Sequence, residues 1–138
     1  MSRTYRFRFR LPGGRGGLAA DLTAAARPAP SPDEPGALRL HRGIVLGVPG
    51  GTYWEDAAWL AFGASLSAPA LAEAHPDGLL IAVHALDHPL ADYRPEVAAL
   101  AIDAWLHAEF TLPPTGAGVT ASATGPVFTW GAGRPPFA

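Results

Sequence analysis

From Thr4 to Leu11 the chain alternates without a fault, Tyr5, Phe7, Phe9 and Leu11 falling on one side and Arg6, Arg8 and Arg10 on the other. Successive side chains of a strand point to opposite faces, so this pattern fits a sheet with one packed face and one wet face. Pro12 closes the segment and Gly13-Gly14-Arg15-Gly16 turns the chain back.

The remaining elements follow from the same kind of pattern. Leu18–Ala26 is expected as a second strand and Leu38–Val48 as a third, joined by the proline-rich loop 28–36, whose prolines lack amide donors. Thr52 and Glu55 have capping-box spacing, which predicts a helix over Tyr53–Leu66. His75-Pro76-Asp77-Gly78 is a turn before a strand over Leu79–Leu86. Asp92 and Pro95 mark the start of a second helix, with Val97, Leu100, Ala101, Ala104 and Ala108 as its apolar stripe. Pro113-Pro114 ends it, and Val119–Trp130 is a strand-like tail broken at Gly125-Pro126. The expected class is α+β: a single mixed β-sheet in the order βββαβα, two helices packed on one face, and a C-terminal tail. At 138 residues the chain reads as one domain, 1–138, with its core over about 4–112 and a tail over 113–138.

Composition removes whole classes of chemistry. There is no cysteine, so disulfides, thiolate metal sites and cysteine nucleophiles are excluded. All ten basic residues are arginine, and without lysine neither a Walker A motif nor a Schiff base is possible. No apolar run approaches ~18 residues, so a cytoplasmic protein with no membrane segment is expected. Charge is divided unevenly: residues 1–43 hold eight arginines against Asp21, Asp33 and Glu34, while the remainder holds two arginines against nine acids. One face of the molecule is therefore expected to carry a positive field.

Three stretches then stand in register with a known family. Gly13-Gly14-Arg15-Gly16, Ile44-Val45-Leu46-Gly47-Val48-Pro49 ahead of Tyr53, and His88-Pro89 before a helix resemble domain IV of elongation factor G in order and spacing over about Tyr5–Phe110. The resemblance implies the ribosomal protein S5 domain 2-like fold. It also implies a tip, made of Gly13, Gly14, Arg15 and Gly16 with Asp87, His88 and Pro89, that in the family meets RNA in the decoding centre. The residues around His88 depart from the family: Ala85-Leu86 precede Asp87, and of the family's helix start only Glu96 survives. The family's GTPase domain has no counterpart in this chain, so no nucleotide-driven step is implied.

Read by their own chemistry, Arg6, Arg8 and Arg10 sit ~6.6 Å apart on one strand face, close to the spacing of phosphates along an extended strand. They fit either weak, salt-sensitive RNA binding or a solvated sheet face whose charges deter strand pairing. His84, Asp87 and His88 lack metal-site spacing, so no metal and no cofactor is expected. No nucleophile elbow or tuned carboxylate pair stands out, so no catalytic residue and no enzyme activity is expected. The first helix has almost no polar face beyond Glu55 and Asp56, and its Trp59 and Phe62 need cover from the tail or from a second subunit; the reading leans to a subunit interface. Two functions follow: a non-catalytic RNA- or ribosome-directed module, or a homo-oligomeric interaction scaffold that kept the fold.

Overall fold

The computed structural model of the chain describes residues 2–29 and 37–137. Its order is β1 Arg3–Arg10, β2 Gly17–Pro28, β3 Ala37–His41, β4 Ile44–Gly47, α1 Trp54–Ser65, α2 Ala68–Ala74, β5 Leu79–Asp87, α3 Glu96–Glu109, β6 Ala117–Ser122 and β7 Gly125–Trp130. The first five strands form one mixed sheet in the order β1-β2-β5-β4-β3, parallel only between β4 and β5. The class is α+β. The expected loop 28–36 lies outside the described residues beyond Ala29.

β1 behaves as its alternation requires. Tyr5, Phe7 and Phe9 pack half-buried against the core, and the arginines between them are exposed. β2 continues the inner face with Leu18, Ala20, Leu22 and Ala24, all buried. Ile44 and Leu46 of β4 and Leu79, Ile81 and Val83 of β5 complete it. α3 lies over β1 and β2, while α1 and α2 lie over the β3 side. Trp105 is almost fully buried in α3 and satisfies its indole by donating Nε1–H to the Arg3 carbonyl at 3.0 Å.

Several expectations need correction. Leu38–Val48 is a hairpin rather than one strand: Arg42 takes φ 49° and, with Gly43, reverses the chain so that His41 pairs with Ile44. The Thr52–Glu55 capping box does not form, because Thr52 Oγ1 donates to the Pro49 carbonyl at 2.6 Å and leaves Tyr53 as N-cap without a side-chain bond. α2 was not expected. The stripe on α3 is displaced toward its start, with Val97–Ile102, Trp105 and Leu106 buried but Ala104 half-buried and Ala108 exposed. A helix packed against the sheet, another helix and a tail buries more than one stripe.

The largest difference is the tail. Val119–Trp130 is not one more strand of the sheet; it is split at Ala123-Thr124 into β6 and β7, a separate two-stranded hairpin. The hairpin runs beside α3 and lays its aromatic side chains on the outer side of α1. Trp130 lies 5.4 Å from Trp59 and 5.2 Å from Phe62, ring centroid to centroid, and Phe137 lies 6.1 Å from Trp59. Trp59 is left 5% exposed. The expected lean toward a subunit interface at Trp59 and Phe62 gives way here to cover from the chain's own tail.

The linker into this hairpin is tied to the last turns of α3. Thr115 donates to Asp103 Oδ1 at 2.8 Å, and His107 stands with Nδ1 2.8 Å from the Asp103 carbonyl and Nε2 3.0 Å from the Pro113 carbonyl. Both ring nitrogens face acceptors, so only the imidazolium satisfies both. Burial opposes that charge, but the two carbonyls and the Asp103 carboxylate outweigh it and raise the His107 pKa. Burial raises the Asp103 pKa, and the Thr115 bond and the histidine only partly offset it.

Two predictions follow from this packing. At Gly63 an added Cβ would lie 2.5 Å from the Ala99 carbonyl oxygen and 2.7 Å from Ala99 Cα. Gly63→Ala should therefore destabilise by about 1–3 kcal/mol in denaturant melts, although Gly→Ala inside a helix ordinarily gains about 1 kcal/mol. A raised histidine pKa stabilises the fold below the unfolded value of about 6.5, and the benefit is lost as pH rises through the folded pKa. Stability should decline from pH 6 toward pH 8 in the wild type, and His107→Gln should flatten that slope.

Candidate functional site

The glycine turn and the His88 loop lie at the same end of the sheet. β1 and β2 are joined there by a 3₁₀ turn, Pro12–Gly14, with Gly13, Gly14 and Gly16 at φ 72°, 70° and 86°, which only glycine adopts without strain. β5 ends at Asp87, paired with Asp21, so the β1–β2 hairpin overhangs it by four residues, or roughly 13 Å. The segment after His88 fills that overhang: Ala19 donates its N–H to the Asp92 carbonyl at 2.8 Å. A Cβ on Gly16 would meet Asp92 Oδ1 at 3.4 Å, whereas one on Gly13 or Gly14 would meet nothing. The tip glycines therefore present bare backbone to solvent.

Other members of the expected tip are engaged inside the molecule. Arg15 is exposed, but its guanidinium donates to the carbonyls of Pro12, Ala123 and Ser122 at 3.1, 3.0 and 3.3 Å. It clasps the turn of the β6–β7 hairpin instead of standing free for a phosphate. His88 stacks on Tyr93, ring centroids 3.5 Å apart and planes 8° apart, with Nδ1 3.4 Å from the Pro89 carbonyl oxygen. Tyr93 in turn donates to Asp56 Oδ1 at 2.6 Å, which joins the His88 loop to the start of α1. Burial, with that bond and the charges of Asp56 and Glu96, pushes the Tyr93 phenol far above its ordinary range, so it is a permanent donor. Asp87 and Pro89 are exposed beside it.

The arginine face is also partly committed. Arg6, Asp21 and Asp87 stand in one cross-strand row, which places two carboxylates opposite each other on the open face. Like charges so placed repel. Arg8 answers with NH1 2.8 Å from Asp21 Oδ1, and Arg6 approaches the same oxygen at 3.8 Å. Arg8, Ala20, Asp21, Asp87, His88 and Pro89 line one shallow cleft, so strand face and tip loop form a continuous surface. Arg10, nearest the glycine turn, makes no hydrogen bond or ion pair among the described residues.

Among the described residues no group of three or more histidines and acids is placed to hold a metal ion. His84 falls in the β2–β5 register shift and is exposed, away from His88. No described helix is long and apolar enough to cross a membrane. Sequence reasoning missed Tyr93 and Asp92, which position the two tip loops; their signal was the acid and aromatic directly after His88-Pro89-Leu90-Ala91. It also missed an exposed aromatic group, Tyr53, Trp54 and Phe137, in which Trp54 is 61% exposed and packs edge-on to Phe137 at 5.6 Å. Comparison with known proteins finds no matching family model, no matching curated protein and no matching solved structure.

The Arg15 clasp generates a prediction. Arg15→Ala removes two bonds between the tip and the hairpin turn, and should cost no more than about 1 kcal/mol of global stability. Amide exchange at Ala123 and Thr124 should nonetheless accelerate. Unchanged exchange there would show that the clasp does not hold the turn.

Proposed function

We propose that this chain is a non-catalytic, cytoplasmic binding module, without GTPase activity, directed to RNA or the ribosome through its glycine tip. The observation that carries this reading is the convergence of the Gly13–Gly16 turn and the Asp87–Pro89 loop on one end of the sheet, with the Arg6–Arg8–Arg10 row running toward it. Bare backbone at Gly13 and Gly14 lets a nucleic-acid surface approach closely, and Arg10 has a free guanidinium for a phosphate. The resemblance to elongation factor G domain IV supports the same assignment. Within this reading Arg15 and His88 shape the tip rather than contact phosphate.

A specific observation favours a second reading, a homo-oligomeric interaction scaffold. Tyr53 and Trp54 are adjacent and mostly exposed, and Phe137 extends the same patch. Large apolar patches of this kind mark association surfaces.

Titrating a fluorescent ribosomal RNA fragment across a salt series separates the two. Each phosphate contact contributes roughly 0.7–0.9 to the log–log salt slope. Arg10→Ala should make the slope shallower by about one contact, whereas His88→Ala should leave it unchanged. No affinity at low salt, together with a Trp54-dependent dimer in sedimentation, would replace the RNA reading with the scaffold.

A further inference from the structure

Among the described residues β1 lies at one edge of the sheet and pairs only with β2. It runs eight residues in unbroken register, with no proline and no bulge. Edge strands are commonly defended by such features, by charged side chains, by inward-pointing charge or by short length; of these β1 has only its exposed arginines, which repel a cationic or arginine-bearing strand and leave an acidic one unopposed. The opposite edge, β3, is defended: it has five residues and a register shift between Arg39 and His41.

The direction of the backbone groups follows from one bond. Leu11 N–H donates to the Gly16 carbonyl at 2.9 Å, and this pair extends the β1–β2 register by one step. Hydrogen-bonded and non-bonded pairs alternate along an antiparallel ladder. Phe9, Phe7, Tyr5 and Arg3 therefore direct their N–H and C=O at β2, while Thr4, Arg6, Arg8 and Arg10 direct theirs outward. No other described segment makes a backbone bond to those outward groups.

The residues with free backbone groups are thus the ones that carry the arginines. A strand added in antiparallel sense would place a partner residue ~5.5 Å, Cα to Cα, from each of Arg6, Arg8 and Arg10, with its side chain on the same open face. Opposite charges across such a pair stabilise and like charges destabilise. Arg6 and Arg8 share Asp21, with Asp87 beyond it in the same row, and Arg10 has no acid among the described residues, so the strip along β1 keeps an excess of positive charge. On the other face Tyr5, Phe7 and Phe9 are half-buried and offer an apolar shelf to the intervening residues.

We infer that β1 is a docking edge for an extended segment of a protein partner with Asp or Glu at every second position and apolar residues between. The acids would pair with Arg6, Arg8 and Arg10, while the main chain completes the ladder, as in other strand-addition complexes. A second copy of this chain fits poorly, since β1 against β1 sets arginine opposite arginine. The inference rests on the backbone and the arginines of β1; it shares those arginines with the proposed RNA surface but does not use the glycine turn or the His88 loop.

The test uses the full chain and two synthetic peptides, one of four Glu-Val repeats and one of four Lys-Val repeats. Arg6→Ala removes a charge and keeps the outward N–H. Arg6→Pro removes both, and proline is tolerated at an edge position whose N–H faces solvent. The glutamate peptide should bind and the lysine peptide should not. Arg6→Ala should weaken binding about threefold, and Arg6→Pro at least a further roughly tenfold. Should Arg6→Pro fail to fold, amide exchange of the wild type decides. The peptide should slow the Arg6 and Arg8 amides and leave those of Tyr5 and Phe7 unchanged. Equal losses in both variants, a single-stranded RNA that displaces the peptide without slowing those amides, or a wild-type dimer paired through β1 would each overturn the proposal.

Discussion

The fold depends on how closely α1 approaches α3. Five strands ~4.8 Å apart span ~19 Å, about the width of two helices side by side. Two helices can tile that face only if nothing wedges them apart, and Gly63 against Ala99 and Ile102 provides the close approach. α3 can then cover Tyr5, Phe7 and Phe9 on one side while α1 and α2 reach the β3 edge. Any side chain at position 63 would have to move backbone, not a rotamer.

Once the helix layer is closed, the alanine-rich sequence of α1 creates a second demand. Its outer side holds Trp59 and Phe62, too much apolar surface to leave in water at roughly 1.5–3 kcal/mol per large side chain. The β6–β7 hairpin meets that demand, and polar ties hold it at both ends. Thr115, Asp103 and His107 fix its entry, and Arg15 fixes its turn. The open face of the sheet receives no such cover among the described residues. Along β1 its charges are arranged with Arg6 and Arg8 sharing Asp21, and with Arg10 unpaired toward the tip among the described residues.

What the sequence disclosed and what it concealed have physical reasons. β1 was legible because a two-residue period ties each side chain to one face. β5 and both long helices were legible from apolar runs of the right length between turn residues. The β3–β4 hairpin was hidden because Leu38, Leu40, Ile44 and Leu46 keep the same parity across the Arg42-Gly43 turn, so the reversal left the alternation almost intact. The capping box at Thr52 was a correct local pattern defeated by a nearer acceptor at Pro49. At the tip, glycines with positive φ could be anticipated from residue type, but the partners of Arg15 lie more than a hundred positions away. A side chain's choice between solvent and a distant carbonyl is decided by tertiary geometry, which no local spacing records.

That separation has a consequence for how the molecule comes into being. Synthesis proceeds from the N-terminus at about 5–20 residues per second, and a domain generally folds as a unit once enough of it is present. The sheet and the helices that cover it are complete by Glu109, well before Ser122 and Ala123 can receive Arg15. For that interval Trp59 and Phe62 lack Trp130, and the glycine turn has no strap. In the folded chain the hairpin is thus the fastening that covers these aromatics and straps the glycine turn.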